Sequence, residues 1–241
     1  TDVYSGFLNP IMPFIAAKIG ISMGVAALLM SISQLFSQLV QPIFGFFADS
    51  ISKRGFIFWG LLLASIFYPL SSCANNFLAL SIFIIAGSLG VSIFHPQGIG
   101  FIVRFTKEDF TKNMGIFLSL GSIGYSFGPM ISASVAEYFG LEKIVYTAIP
   151  GIILALAMFG CVPKVSNLDK KTEKKNIVKV FSAIFSNTQI KILILISIMK
   201  ALISSSCAIL LPFLWKDFGH SAFYIGTALF AFCLLYTSPS P

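Results

Sequence analysis

The sequence predicts an all-α polytopic membrane protein, and three observations carry the prediction. Hydrophobic residues make up 56% of the chain and charged residues only 10%, whereas a soluble domain carries about 25% charged residues. The apolar runs are long and do not alternate, which selects helices over barrel strands, because lipid admits only these two solutions to backbone hydrogen bonding. The basic residues gather in every second connection, which is the pattern of a chain threading a bilayer.

Span 1 is expected from Val3 to Ala17. At 1.5 Å per residue it reaches roughly 22 Å, short of a hydrocarbon core of about 30 Å, so the chain is expected to start inside a helix. Gly6, Asn9, Pro10 and Pro13 break it up. Span 2 runs from Ser22, an N-cap candidate, to Phe47. Spans 3, 4, 5 and 6 are expected at Phe56–Ala74, Phe77–Val103, Asn113–Tyr138 and Lys143–Cys161. A polar linker, Pro163–Thr188, precedes span 7 at Gln189–Phe213, and an eighth span begins near Ala222 and breaks at Tyr236. Four segments follow: a six-helix half over 1–163, a basic linker over 164–188, the start of a second half over 189–235, and a tail over 236–241 that is expected to be non-native. That tail holds Pro239 and Pro241 and cannot continue a lipid-facing helix.

The connections after spans 2, 4 and 6, with their flanking turns, hold Lys53, Arg54, Arg104, Lys107, Lys112, Lys164, Lys170, Lys171, Lys174, Lys175, Lys179 and Lys191. Those after spans 1, 3, 5 and 7 hold only Lys18, Lys143 and Lys216. This asymmetry places the N-terminus and the central linker in the cytoplasm of a multi-pass cell-membrane protein, with a bacterial inner membrane the expected location. It also assigns the net charge of +7 to the lipid surface and solvent rather than to nucleic acid. Cys73, Cys161, Cys207 and Cys233 have no metal-ligand spacing, so no metal or other cofactor is expected and the cysteines read as small hydrophobes.

Several spans carry polar residues on one face, spaced three or four apart. Span 2 has Ser31, Gln34, Gln38 and Gln41; span 4 has Ser88, Ser92 and His95; span 5 has Ser119, Ser122 and Ser126; span 7 has Ser197, Lys200 and Ser204. Such faces are costly toward lipid and point into the bundle, either as interhelical glue or as a substrate and ion path. His95 precedes Pro96, whose missing N–H and ring kink a helix. An unperturbed imidazole titrates near about pH 6.5, so His95 is a candidate proton carrier or gate, the other reading being a neutral residue bonded to a neighbouring helix. Lys200, in the middle of span 7, is expected to face the central cavity and attract an anionic substrate. Asp2 is a possible partner for it, although the depths match poorly. Gly45 and Asp49 end span 2, and Lys53 and Arg54 open the next turn, forming either a latch on the cytoplasmic face or a static brace. Gly115, Gly121, Gly124, Gly128 and Pro129 give span 5 small-residue packing and room to bend.

These residues resemble the major facilitator superfamily. Gly45-Phe46-Phe47-Ala48-Asp49 followed by Lys53-Arg54 is similar to its loop motif, with Ser50 and Ser52 replacing the usual basic residue and glycine. Gly115, Gly124, Gly128 and Pro129 resemble its antiporter signature, closing with Ser132-Ala133 where the family has two glycines. The likeness is nearest to the fosmidomycin resistance protein group. It rests on Gln41-Pro42 before Gly45, on Phe94-His95-Pro96-Gln97-Gly98 with Gln97 at a position where the group often has glutamate, on Gly128-Pro129, and on Asp2 matching an acid of the first span. The resemblance implies a major-facilitator-type six-helix bundle plus the first one to two helices of a second half. It further implies proton-coupled export of small drugs or metabolites, fosmidomycin-like compounds included, by a protein that is not an enzyme and is monomeric when full length. Its partners would be a small-molecule substrate, protons and membrane lipid. A uniporter or symporter on the same fold, and an inactive fragment, remain open alternatives.

Overall fold

The computed structural model describes residues 1–48, 53–105, 109–161 and 186–237, with side chains over 1–45, 55–103, 109–161 and 186–235. The described residues are all-α. In chain order the helices are α1 (Asp2–Ser5), α2 (Leu8–Ile19), α3 (Met23–Ala48), α4 (Lys53–Leu70), α5 (Phe77–Phe105), α6 (Phe110–Phe139), α7 (Ala148–Cys161), α8 (Thr188–Asp217) and α9 (Ala222–Thr237), with 3₁₀ turns at Ser71–Cys73 and Leu141–Thr147. Among the described residues six helical stretches are long and apolar enough to cross a membrane, and Leu8–Ile19 and Ala222–Leu235 are shorter apolar helices.

The expected first span is two helices. Pro10 has no N–H for the carbonyl of Gly6 and its ring crowds that carbonyl, so the helix parts at Gly6–Phe7 and restarts with Pro10 in its first turn, where an N–H would be unpaired in any case. α2 stops at Gly20, whose φ of 75° is left-handed and favours glycine. The next helix is capped as expected: the Val25 N–H donates to Ser22 Oγ at 3.3 Å. Span 6 differs from expectation, because its first residues wind as a 3₁₀ turn, Leu141–Thr147, before α7 begins. Pro150 supplies no N–H to the Tyr146 carbonyl, which removes one α-type bond from that turn. At the far end α9 runs to Thr237, past the expected break at Tyr236. Tyrosine and threonine both fit a helix; the constraint begins at Ser238, the residue before Pro239. Residues 238–241, and the linker over 164–185, lie outside the described residues.

Glycines set the close crossings. A Cβ on Gly90 would lie 2.6 Å from the Ala64 nitrogen, and one on Gly60 would lie 2.8 Å from the Gly90 oxygen, so α4 and α5 meet backbone to backbone. α9 packs on α6 with Gly226 against the Pro129 carbonyl. α3 is fastened to α5 by Ser92, whose hydroxyl lies 2.9 Å from the Ser37 carbonyl and 3.1 Å from Ser37 Oγ. The ends of α2, α4 and α6 converge: Lys18 Nζ is 2.8 Å from Glu142 Oε1 and 3.4 Å from the Ser72 carbonyl. The connections after spans 1, 3 and 5 therefore share one end of the bundle, as alternating spans require. Large apolar side chains remain exposed along the outside, Leu35 at 59%, Leu39 at 65% and Leu195 at 60% among them; lipid is the solvent that makes such a surface stable.

Candidate functional site

A cavity of about 450 Å³ lies between α1–α2, α3, α5, α6 and the later helices α8 and α9. Asp2 and His95 face each other in it, with His95 Nε2 3.1 Å from Asp2 Oδ1. Both side chains are partly accessible, His95 at 29% and Asp2 at 23%. The sequence placed these two residues 93 positions apart without pairing them; the contact exists because α6 lets α1 come close. A Cβ on Gly121 would stand 2.8 Å from Asp2 Oδ2, one on Gly124 would touch Val3 Cγ2 at 3.3 Å, and one on Gly128 would overlap the Val3 carbonyl and lie 3.0 Å from the Gly6 Cα. The small-residue face of α6 is thus the bed on which the acid-bearing helix rests. Gly6 answers it from the other side, since its Cβ would lie 2.6 Å from the Tyr125 carbonyl. Gly115 is different: nothing lies within 4 Å of its Cβ position.

The wall opposite carries neutral hydrogen-bonding groups. Gln34, Gln38 and Gln41 of α3 and Ser122 of α6 line the cavity, at the three-to-four spacing that puts them on one helix face. Ser31 and Ser119 do not line it; both are exposed, and the Ser31 hydroxyl is spent on its own helix at the Ala27 carbonyl, 2.8 Å away. Ser92 sits behind the wall, fully buried as the α3–α5 fastening. Lys200 is exposed and is not among the lining residues, while Ser204, one turn on, is. Lys and Arg are absent from the described lining, so Asp2 and His95 carry its ionic chemistry. Asp49, with the side chains of Lys53 and Arg54, lies outside the described residues; Gly45, one turn before Asp49, approaches α5 at Pro96, 3.7 Å from its Cβ position.

Three polar arrangements were not visible in the sequence reading, although it named Asn9, Ser88 and Gln97 singly. Asn9 Nδ2 donates to the Tyr125 hydroxyl at 3.3 Å, and Tyr68 shares a 3.2 Å hydrogen bond with Ser88; all four line the cavity. Tyrosines within apolar runs read as core, and only the lone amide of Asn9 in a proline-broken helix was a visible signal. The third is Gln97. It is 1% exposed, and neither of its amide atoms has a hydrogen-bond partner among the described residues.

A histidine–carboxylate contact in a low-dielectric cavity can hold a proton, or release it when the carboxylate finds another partner. Amide and hydroxyl groups around it can orient a small polar solute. The chain is 25% identical over 133 residues to the quinolone resistance protein NorA of Staphylococcus aureus (strain Mu50 / ATCC 700699), covering 55% of this chain and 34% of that protein. It is 25% identical over 167 residues to the uncharacterized MFS-type transporter YwoD of Bacillus subtilis (strain 168), covering 66% of this chain and 37% of the relative. The chain thus spans about a third of the length of these curated relatives. The chain has six stretches long and apolar enough to cross a membrane, the Major Facilitator Superfamily matches it across residues 3–240, and the chain belongs to that superfamily.

Proposed function

We propose that this chain forms the first half, and the start of the second, of a transporter that exports small drugs or metabolites in exchange for protons by alternating access. Family membership supports a transporter rather than an enzyme. The observation that carries the proton part is the 3.1 Å contact between His95 and Asp2 inside a cavity lined by amides and hydroxyls. The pair takes a proton when the cavity faces the acidic side and gives it up as substrate enters. Gln34, Gln38, Gln41 and Ser122 hydrogen-bond the solute. The relative named for quinolone resistance supports a drug-like solute. A fosmidomycin-like anion is a second candidate. Gly45, Asp49, Lys53 and Arg54 form the gating connection at the basic, cytoplasmic end. Gly115, Gly124, Gly128 and Pro129 let α6 bend or pack against α1. The full-length protein works as a monomer.

The test uses the full-length protein in inside-out vesicles, with a quinolone and fosmidomycin as probes. Export in exchange for protons requires proton release from the vesicle lumen on addition of either probe, and loss of accumulation with an uncoupler. Accumulation that persists with the uncoupler, or proton movement in the same direction as substrate, would refute antiport and favour a uniporter or symporter.

A further inference from the structure

A second cavity, of about 780 Å³, opens on the outside of the bundle between α6 and α7. Val3, Tyr4 and Phe7 form its floor, and Ile131, Val135 and Leu154 stand along its sides. α6 and α7 belong to stretches long and apolar enough to cross a membrane, Phe110–Phe139 and Leu141–Cys161, so this groove meets acyl chains rather than water. Its polar groups are mostly spent internally. The Tyr4 hydroxyl donates to the Thr147 carbonyl at 2.8 Å, and the Thr147 hydroxyl is bonded to the Ile144 carbonyl at 2.6 Å. From Ile131 to Phe139 the groove follows α6 for about 12 Å toward the end of the span.

The mouth is chemically different from the floor. Lys143 Nζ stands 5.5 Å from the centre of the Tyr146 ring, and both residues line the groove. Its neighbour Glu142 is held chiefly by Lys18, at 2.8 Å, and Lys143 acts on that carboxylate only as a smaller, through-space charge. Among the described residues no carboxylate forms a salt bridge with Lys143. Around it Tyr138, Phe139 and Tyr146 are 68%, 72% and 60% exposed, the amphipathic aromatic ring expected at the level of lipid headgroups. A cation at headgroup depth above an apolar slot running toward the middle of the bilayer is complementary to one molecule with a negative head and a hydrocarbon tail. We propose that this groove is a binding site for an anionic phospholipid, with an acyl chain lying on α1 between α6 and α7 and the phosphate at Lys143.

The experiment purifies the full-length protein from mixed phosphatidylglycerol and phosphatidylcholine and counts retained lipids by native mass spectrometry. Wild type is expected to retain phosphatidylglycerol in about five-fold preference, the scale of one cation near a charged headgroup. Lys143→Glu removes that preference. Lys112→Glu, a charge change at the opposite end of α6, keeps it. Val135→Trp fills the slot and lowers retention of both lipids; should it fail to fold, Ile131→Trp, at the rim, reads the same quantity. The proposal is overturned if wild type retains the two lipids equally, if Lys143→Glu keeps the preference, if Lys112→Glu abolishes it as fully as Lys143→Glu does, or if a folded groove-filling variant holds lipid as wild type does.

Discussion

Replacing the α6 glycines one at a time separates their role in positioning α1 from mere helix flexibility. Glycine inside a helix costs about 1 kcal/mol relative to alanine, so every Gly→Ala change here starts with that gain. At Gly115 nothing lies within 4 Å of the new Cβ, and the gain stands alone. At Gly124 the neighbour is the Val3 Cγ2 atom at 3.3 Å, a side-chain methyl that can give by a few tenths of an ångström, so gain and strain nearly cancel. At Gly128 the obstacles are the Val3 carbonyl and, at 3.0 Å, the Gly6 Cα. Both are backbone and cannot swing aside, so overpacking costs about 1–3 kcal/mol and exceeds the helix gain. Thermal unfolding of the full-length protein in one detergent should therefore rank Gly115→Ala highest, Gly124→Ala near wild type and Gly128→Ala lowest, with Gly128→Ala also losing transport because α1 is displaced from His95. Equal melting points for Gly128→Ala and Gly115→Ala, with transport intact in both, would refute the claim that this helix face holds α1.

Gly121→Ala meets only the end of a flexible side chain, the Asp2 carboxylate at 2.8 Å, so it should spare stability yet weaken proton coupling, read as a smaller pH dependence of transport with an unchanged melting point. His95→Gln should abolish that pH dependence while leaving the protein folded; transport with an intact pH profile would mean that His95 carries no proton. Ser92→Ala removes the α3–α5 fastening and should cost about 1 kcal/mol of stability with substrate affinity unchanged, since Ser92 lies behind the cavity wall. Gln38→Leu should raise the KM for a quinolone several-fold and leave stability near wild type, because Gln38 lines the cavity and is exposed.

Much of the architecture was legible because lipid imposes a simple rule: apolar length and the sorting of cations. The helices that the sequence placed within a few residues are those whose ends are marked by Ser22 or by charged turns. Where proline acts at a distance of four residues the reading was coarser, as at Pro10 and Pro150, since the affected carbonyl lies a full turn before the proline. The polar face of α3 was legible from spacing alone, because Gln34, Gln38 and Gln41 are costly toward lipid. The pairing of Asp2 with His95 was not. The sequence reading offered Lys200 as a possible partner for Asp2 despite a poor match in depth, and only the close approach of α1 to Gly121 and Gly128 selects His95. The Asn9–Tyr125 and Tyr68–Ser88 contacts join residues on different helices, and periodicity within one helix holds no information about such neighbours.

Proton release on substrate binding tests the Asp2–His95 assignment most directly. Full-length protein in weakly buffered detergent, mixed with a quinolone in the presence of a pH indicator, should release protons in wild type and far fewer in Asp2→Asn and His95→Gln, with each variant still folded. Equal release from wild type and both variants would contradict the assignment and move the proton site elsewhere in the transporter.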